Sequence, residues 1–208
     1  MKDEEIERLK EMLKIEDSLY SEGYEYICGI DEAGRGPLCG PVVAAAVILP
    51  KDKYIEGVND WKKLSPKKRE KLYDDIKKEA ISVGIGIVDV DIIEEINILN
   101  ATKLAMIKAI KDLKIKPDYL LIDGNQLIDI DIEKQTVVSG DAKSESIAAA
   151  SIIAKVTRDR MLINFDKLYP EYGFAKHKGY GTKIHIEAIK KYGLTPIHRK
   201  SFCKKFVE

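Results

Sequence analysis

The chain has 208 residues, of which 45% are hydrophobic and 34% charged, enough for one large domain with a small appendage and too charged for a membrane-embedded protein. Its 35 basic and 35 acidic residues cancel, which excludes a globally basic polyanion binder but not one with local patches: residues 1–34 hold eleven acids against four bases, and residues 176–208 nine bases against two acids. Three cysteines, Cys28, Cys39 and Cys203, with no C-x-x-C spacing, exclude a disulfide framework and a thiolate zinc site and read as reduced, buried thiols.

The first stretch, MKDEEIERLKEMLK, is too acidic for a secretory signal, so a cytoplasmic location is expected. Ile6, Leu9, Met12, Leu13 and Leu19 recur at near-helical spacing, which predicts one amphipathic helix over 3–20. Residues 24–31 (YEYICGID) read as a short buried strand, followed by the Gly/Pro-rich loop AGRGPLCGP. Residues 42–49 make a second strand and 81–90 a third. Between them Ser65-Pro66 predicts an N-cap with proline at the first helical position, starting a helix through about Ala80. A basic run, Lys62-Lys63 with Lys67-Lys68-Arg69 and Lys71, lies across that start.

Apolar spacing turns helical again from 91 to 114, and Pro117 ends it. Residues 118–123 (DYLLID) form a fourth strand and 135–138 a short fifth. A long helix over 144–168 opens with small residues (SESIAAASIIAK), which allow it to approach a sheet closely. A loop (YGFAKHKGYGT), a helix over 183–192 and a basic end complete the chain. Three consecutive strands can form an antiparallel meander, and the fourth, reached through a helix, can lie parallel beside the first. We divide the chain into an N-terminal helical extension (1–22), a catalytic domain (23–170) and a helical C-terminal region that contacts substrate (171–208).

The acids carry the chemistry. Asp31 and Glu32 follow the first strand, Asp123 follows the fourth, and Asp141 lies between the fifth strand and the long helix. If the first and fourth strands are parallel neighbours, these carboxylates converge at one sheet end, where open α/β folds bind ligands. Converging carboxylates repel one another unless a cation compensates, and hard oxygen donors suit Mg²⁺ or Mn²⁺. With only His177, His185 and His198 in the chain, no His/Cys cluster is expected to compete. Gly34-Arg35-Gly36-Pro37 is neither a Walker A loop nor a dinucleotide fingerprint, and by itself reads as a tight turn. His177-Lys178-Gly179-Tyr180-Gly181-Thr182 sets an aromatic between glycines beside basic residues, which suits stacking next to a phosphate contact.

Together, GIDEAGRGPLCGPVVAAAVIL (29–49), NDWKKLSPKKRE (59–70), LIDGN (121–125), SGDAKSESIAAASIIAKVTRDR (139–160), YGFAKHKGYGT (172–182) and PIHRKSF (196–202) resemble the type 2 ribonuclease H family, ribonuclease HII, in family order over almost the whole chain. The resemblance implies a ribonuclease H-like α/β fold: a mixed five-stranded sheet flanked by helices, with a helical C-terminal extension. It implies that Asp31, Glu32, Asp123 and Asp141 are catalytic and hold two Mg²⁺ or Mn²⁺ ions. It implies that Gly34, Arg35 and Gly36 read the ribose 2′-OH, that Tyr180 stacks near an RNA–DNA junction, and that Lys62, Lys63, Lys143 and Ser146 contact phosphates. The expected substrates are RNA/DNA hybrids and duplex DNA containing single ribonucleotides, cut on the 5′ side by a monomer to leave 5′-phosphate and 3′-hydroxyl ends. One residue departs from the family pattern: Trp61 stands where N-D-S-K-K-L has serine. The rival readings are another two-metal phosphodiesterase, such as a junction resolvase, and a nucleic-acid-binding module without chemistry.

Overall fold

In a computed structural model that describes residues 3–207, five short strands pair into one mixed sheet: β1 (Ile27–Ala33), β2 (Val42–Ile48), β3 (Ser82–Val88), β4 (Tyr119–Asp123) and β5 (Glu133–Val137). The strand order is β3-β2-β1-β4-β5. β2 is antiparallel to both β1 and β3, so the first three strands form the expected meander. β4 runs parallel to β1, and β5 parallel to β4. β1 and β2 are buried along nearly their whole length, which is why they read as continuous apolar runs rather than alternating ones.

Eight helices accompany the sheet among the described residues: α1 (Asp3–Met12), α2 (Lys14–Ser21), α3 (Pro66–Glu79), α4 (Val90–Lys111), α5 (Glu145–Leu168), α6 (Phe174–His177), α7 (Lys183–Tyr192) and α8 (Lys200–Val207). None is long and apolar enough to cross a membrane. α3 begins as its sequence predicts, with the Ser65 hydroxyl accepting from the Lys68 N–H and Pro66 in the first turn. One sheet face packs on α5 and α3 through Ala45, Val47, Leu72, Ile76, Ala149 and Ile153. The other packs on α4 through Ile30, Ala44, Ile93, Ala105 and Leu120. A third apolar cluster joins the C-terminal helices to the end of α5 through Leu162, Phe174, Ile189 and Cys203.

The small residues at the start of α5 do what their size suggests. A Cβ placed on Gly29 of β1 would lie 2.1 Å from the Ser146 carbonyl carbon and 2.3 Å from the Ile147 nitrogen. Backbone therefore lies against backbone here, and the N-terminal end of α5 is fixed beside the end of β1.

Besides the first strand, which runs over Ile27–Ala33 rather than 24–31, three boundaries differ from the sequence reading. The leading helix is two helices, breaking at Leu13, whose N–H is shared between the Leu9 and Lys10 carbonyls. Within α4, Asn97 adopts φ 66°, and its side chain accepts from the Leu99 and Asn100 N–H groups, restarting the helix as an internal cap. β5 begins at Glu133 rather than 135, because backbone pairing with β4 sets it: its outer positions are too polar for an apolar pattern to mark them.

Candidate active site

The register of the sheet gathers the acids. The β1–β4 ladder ends at Ile30–Ile122, so the next residue on each strand is an aspartate, Asp31 on β1 and Asp123 on β4. Successive residues of a strand point to opposite faces, so Asp31 and Asp123 rise on the α5 side while Glu32 emerges on the α4 side. The two β1 acids lie inside the strand rather than after it, since β1 goes on pairing with β2 at Asp31–Ala45 and Glu32–Ala44. Asp141 arrives on a short 3₁₀ turn, Gly140–Ala142, immediately before α5. All four acids line one cleft of about 220 Å³, together with Gly34, Arg35, Gly36, Trp61, Lys62, Lys155, Arg158 and Tyr180.

Each carboxylate is held in place by a local contact. Asp31 Oδ1 accepts from the Glu32 N–H at 2.6 Å. Asp123 Oδ1 accepts from the Gly140 N–H at 2.6 Å, which ties β4 to the turn carrying Asp141. Asp141 Oδ2 takes the Lys62 ammonium at 3.2 Å, and Glu32 Oε1 lies 3.5 Å from the Arg35 guanidinium. Burial, followed by the charges of Glu32 and Asp123, pushes the Asp31 carboxyl well above the usual range. Burial also raises Glu32 against the opposing pull of Arg35. Burial raises Asp123, against the Gly140 hydrogen bond and with the charge of Asp141 adding to it. Burial works against the Lys62 ammonium, but the hydrogen bond and charge of Asp141 outweigh it and hold its pKa above the ordinary value. Of the basic side chains lining this desolvated corner, Lys62 and Arg35 pair with two of the four acids, while Lys155 pairs with Asp159 and Arg158 with backbone carbonyls. That donor set of oxygens with a deficit of positive charge fits a hard divalent cation.

The glycine loop is held from behind by two buried arginines. Arg199 donates to the carbonyls of Gly34 (2.6 Å), Arg35 (3.0 Å), Pro37 (2.9 Å) and Gly40 (2.8 and 3.0 Å). Arg158 donates to the carbonyls of Cys39 (2.9 Å), Pro41 (3.0 Å) and Lys178 (2.9 Å). Neither has a carboxylate partner among the described residues. In a trans peptide the C=O and the following N–H point in opposite directions, and there is no cis peptide among the described residues. Turning the Gly34 and Arg35 carbonyls onto Arg199 therefore turns the Arg35 and Gly36 N–H groups away from it. Both residues line the cleft, and neither N–H has a partner among the described residues. Gly34 is required for this shape: its φ is +101°, and a Cβ would lie 2.2 Å from Arg158 Nε.

Tyr180 is 42% exposed at the cleft mouth. Its carbonyl accepts from His185 Nδ1 at 2.9 Å. The Thr195 N–H donates to His198 Nδ1, so His198 carries its proton on Nε2 and donates it to His185 Nε2 at 3.1 Å. Burial, with the neighbouring histidine adding to it, drives both imidazoles down to about 4. This corrects the expectation that no His/Cys cluster forms. His185 and His198 meet beside Cys39, with ligand atoms within 4.8 Å, and His177 stacks on His185 at 4.4 Å. Because each imidazole already satisfies the other, the group reads as a neutral hydrogen-bonded brace under Tyr180.

Three expected phosphate contacts fall outside the cleft lining. Ser146 is 2% exposed, and its hydroxyl and N–H both bind the Glu16 carboxylate of α2, which also takes the Ser144 hydroxyl. A serine buried at a helix start and used by a carboxylate has no free surface for a phosphate. Lys143 is exposed but turns its ammonium to the Val138 carbonyl, and Lys63 is exposed beyond the cleft. Conversely, Lys155, Arg158 and Arg199 were missed. The available signal was a set of cations at spacings of three within the apolar face of α5 (Lys155, Arg158), where charge is costly unless used.

A model of the family described as Ribonuclease HII matches residues 28–205. The chain belongs to the ribonuclease HII family. It is 64% identical over 205 residues to the ribonuclease HII of Acetivibrio thermocellus, covering 99% of this chain and 80% of that one. The crystal structure of the ribonuclease H2 from Pyrococcus horikoshii superposes with a TM-score of 0.72 at 30% identity, over 87% of this chain and 96% of that one. The ribonuclease HII of Archaeoglobus fulgidus, solved as a complex with PCNA, superposes with a TM-score of 0.70 at 27% identity, over 84% of this chain and 93% of that one. Membership in the ribonuclease HII family makes this chain a ribonuclease H of type 2, and the cleft above is its candidate active site.

Proposed function

We propose that the cleft hydrolyses the phosphodiester on the 5′ side of ribonucleotides in RNA/DNA hybrids, and of single ribonucleotides embedded in duplex DNA. The observation that carries the reading is the convergence of Asp31, Glu32, Asp123 and Asp141 on one small cleft, in which Asp31 and Asp123 have no cationic partner among the described residues. The four carboxylates are suited to hold two Mg²⁺ or Mn²⁺ ions. Such a pair supplies an activated water and stabilises charge on the leaving 3′-oxygen. The protein's own part is to fix the acids through strand register and the Gly140 amide, and to lower the local anionic charge through Lys62 and Arg35. Products then carry 5′-phosphate and 3′-hydroxyl ends. The Arg35 and Gly36 amides, turned away from Arg199 on residues that line the cleft and without partners among the described residues, are suited to bind the 2′-oxygen that distinguishes ribose from deoxyribose. Tyr180, exposed at the cleft mouth, is suited to stack on the sugar next to it.

The test is cleavage of a labelled DNA duplex carrying one ribonucleotide, with Mg²⁺ or Mn²⁺ and with chelator. The expected result is a single metal-dependent cut 5′ of the ribonucleotide, none in the all-DNA duplex, and loss of at least about a thousandfold in rate with Asp123→Asn. Cleavage of the all-DNA duplex at the same rate would overturn the substrate assignment.

A further inference from the structure

Trp61 lines the cleft beside the catalytic acids and has no part in the reading above. It sits on a short 3₁₀ turn, Trp61–Lys63, capped by the Asp60 carboxylate, which accepts from the Lys62 N–H. The turn is clamped from the other side, where the Arg69 guanidinium donates to the Trp61 carbonyl at 3.0 Å and to the Leu64 carbonyl at 3.2 Å. The indole itself is half-buried.

Its surroundings are cationic. The Lys155 ammonium lies 4.8 Å from the ring centre, the Arg69 guanidinium 5.4 Å and the Lys62 ammonium 5.6 Å. Lys155 also lies 6.0 Å from the Tyr180 ring, so one buried cation is shared by the two aromatics of the cleft. The indole packs in part on the apolar cluster under α3 and α5. Its remaining surface stands at the cleft beside Lys62, Arg69 and Lys155, the last paired with Asp159 at 2.7 Å, so that cations and rings able to stack on nucleosides occur together, a combination that suits a nucleic-acid strand.

We propose that Trp61 is a second aromatic contact for the substrate, stacking on a nucleoside of the strand whose phosphate lies over Asp31, Asp123 and Asp141, with Lys155 coupling it to Tyr180. The assignment rests on the proposed substrate of the cleft. Lys62, adjacent in sequence and bonded to Asp141, makes the link short: whatever draws the strand to the acids passes the indole.

Trp61 is the single tryptophan of the chain, so intrinsic emission reports on this position alone. The experiment titrates the full chain, in chelator to prevent turnover, with a fluorescein-labelled duplex carrying one ribonucleotide. Anisotropy of the label gives binding, and acrylamide quenching of tryptophan emission with unlabelled duplex gives shielding. The proposal expects the quenching constant to fall at least twofold on binding. It expects Trp61→Ser to raise Kd about tenfold, the order of one lost base–aromatic stack, and Trp61→Phe to stay within about threefold of the parent. Binding by anisotropy with unchanged quenching, or a Trp61→Ser variant that binds normally while melting at lower temperature, overturns the role of Trp61 and leaves the proposed activity standing. No binding of the ribonucleotide duplex by anisotropy in the parent chain, at low salt, overturns both.

Discussion

Arg199 offers a way to disturb the glycine loop without touching the cleft. Its guanidinium makes five hydrogen bonds to four loop carbonyls and is fully buried. Burial, followed by the charge of Arg158, brings its pKa down to about 10, so it remains charged at neutral pH. Deleting the group would strand the buried carbonyls of Gly34, Pro37 and Gly40 at about 1–3 kcal/mol each, comparable with the whole stability of a domain, so truncation is expected to prevent folding. Arg199→Lys is the informative change. An ammonium has three donors and no planar fork, so at least two of the five charge-assisted bonds are lost, about 3 kcal/mol at roughly 1.5 kcal/mol each. For a chain of this size that lowers Tm by roughly 6–12 °C. The functional effect follows from peptide geometry: with the Gly34 and Arg35 carbonyls released, the Arg35 and Gly36 amides no longer share one direction. The assay compares Kd for a duplex carrying one ribonucleotide with Kd for the same duplex in DNA, below the melting range of the variant. We expect the preference for the ribonucleotide to shrink at least fivefold while DNA binding is unchanged. A folded Arg199→Lys protein with the parent's preference would refute the argument that Arg199 aims the loop.

Other consequences are more local. Gly29→Ala drives a methyl group into the backbone of Ser146 and Ile147, so α5 must shift. A loss of about 3 kcal/mol or more in urea unfolding is expected, and a loss below about 1 kcal/mol would mean the contact is looser than described. Glu145 is buried, with one oxygen accepting from the Ile55 N–H and the other without a partner among the described residues, and burial pushes its carboxyl up to about 7. A raised carboxyl in the folded state contributes its stability fully below the unfolded value of 4.5 and loses it as pH rises through 7. Glu145→Gln, which cannot ionise, should therefore gain on the parent between pH 5 and pH 8, by up to about 3 kcal/mol. A stability difference flat across that range would show that Glu145 is not neutral in the fold.

The convergence of the four acids was legible because Asp31 and Asp123 sit where two apolar strands reach the same sheet end, an order that follows from simple connection rules. Asp31 and Asp123 needed only the parallel pairing of β1 and β4, and the observed register supplies it. Asp141 was legible from its place before a helix of small residues, a size pattern that the contact at Gly29 explains. What supports the cleft from behind was not legible. Apart from the Arg158 bond to Lys178, Arg158 and Arg199 act on backbone carbonyls 117 to 165 positions away in sequence, and no local pattern marks such a partnership. Ser146, expected at a phosphate only from the family resemblance, is used elsewhere for a related reason: its partner, Glu16, lies on a helix that the chain presents 130 residues earlier. The histidine brace was hidden likewise, since His185 and His198 meet only when α7 and the turn before α8 fold onto the glycine loop.

The central claim, that the four acids together hold divalent cations, is tested most directly by Mn²⁺ titration calorimetry on the parent chain and on Asp31→Asn and Asp123→Asn. The account predicts saturable Mn²⁺ binding in the parent that tightens as pH rises, because protons compete for the raised carboxyls, and that weakens at least about tenfold in each variant. Equal Mn²⁺ affinity in all three folded proteins would contradict it.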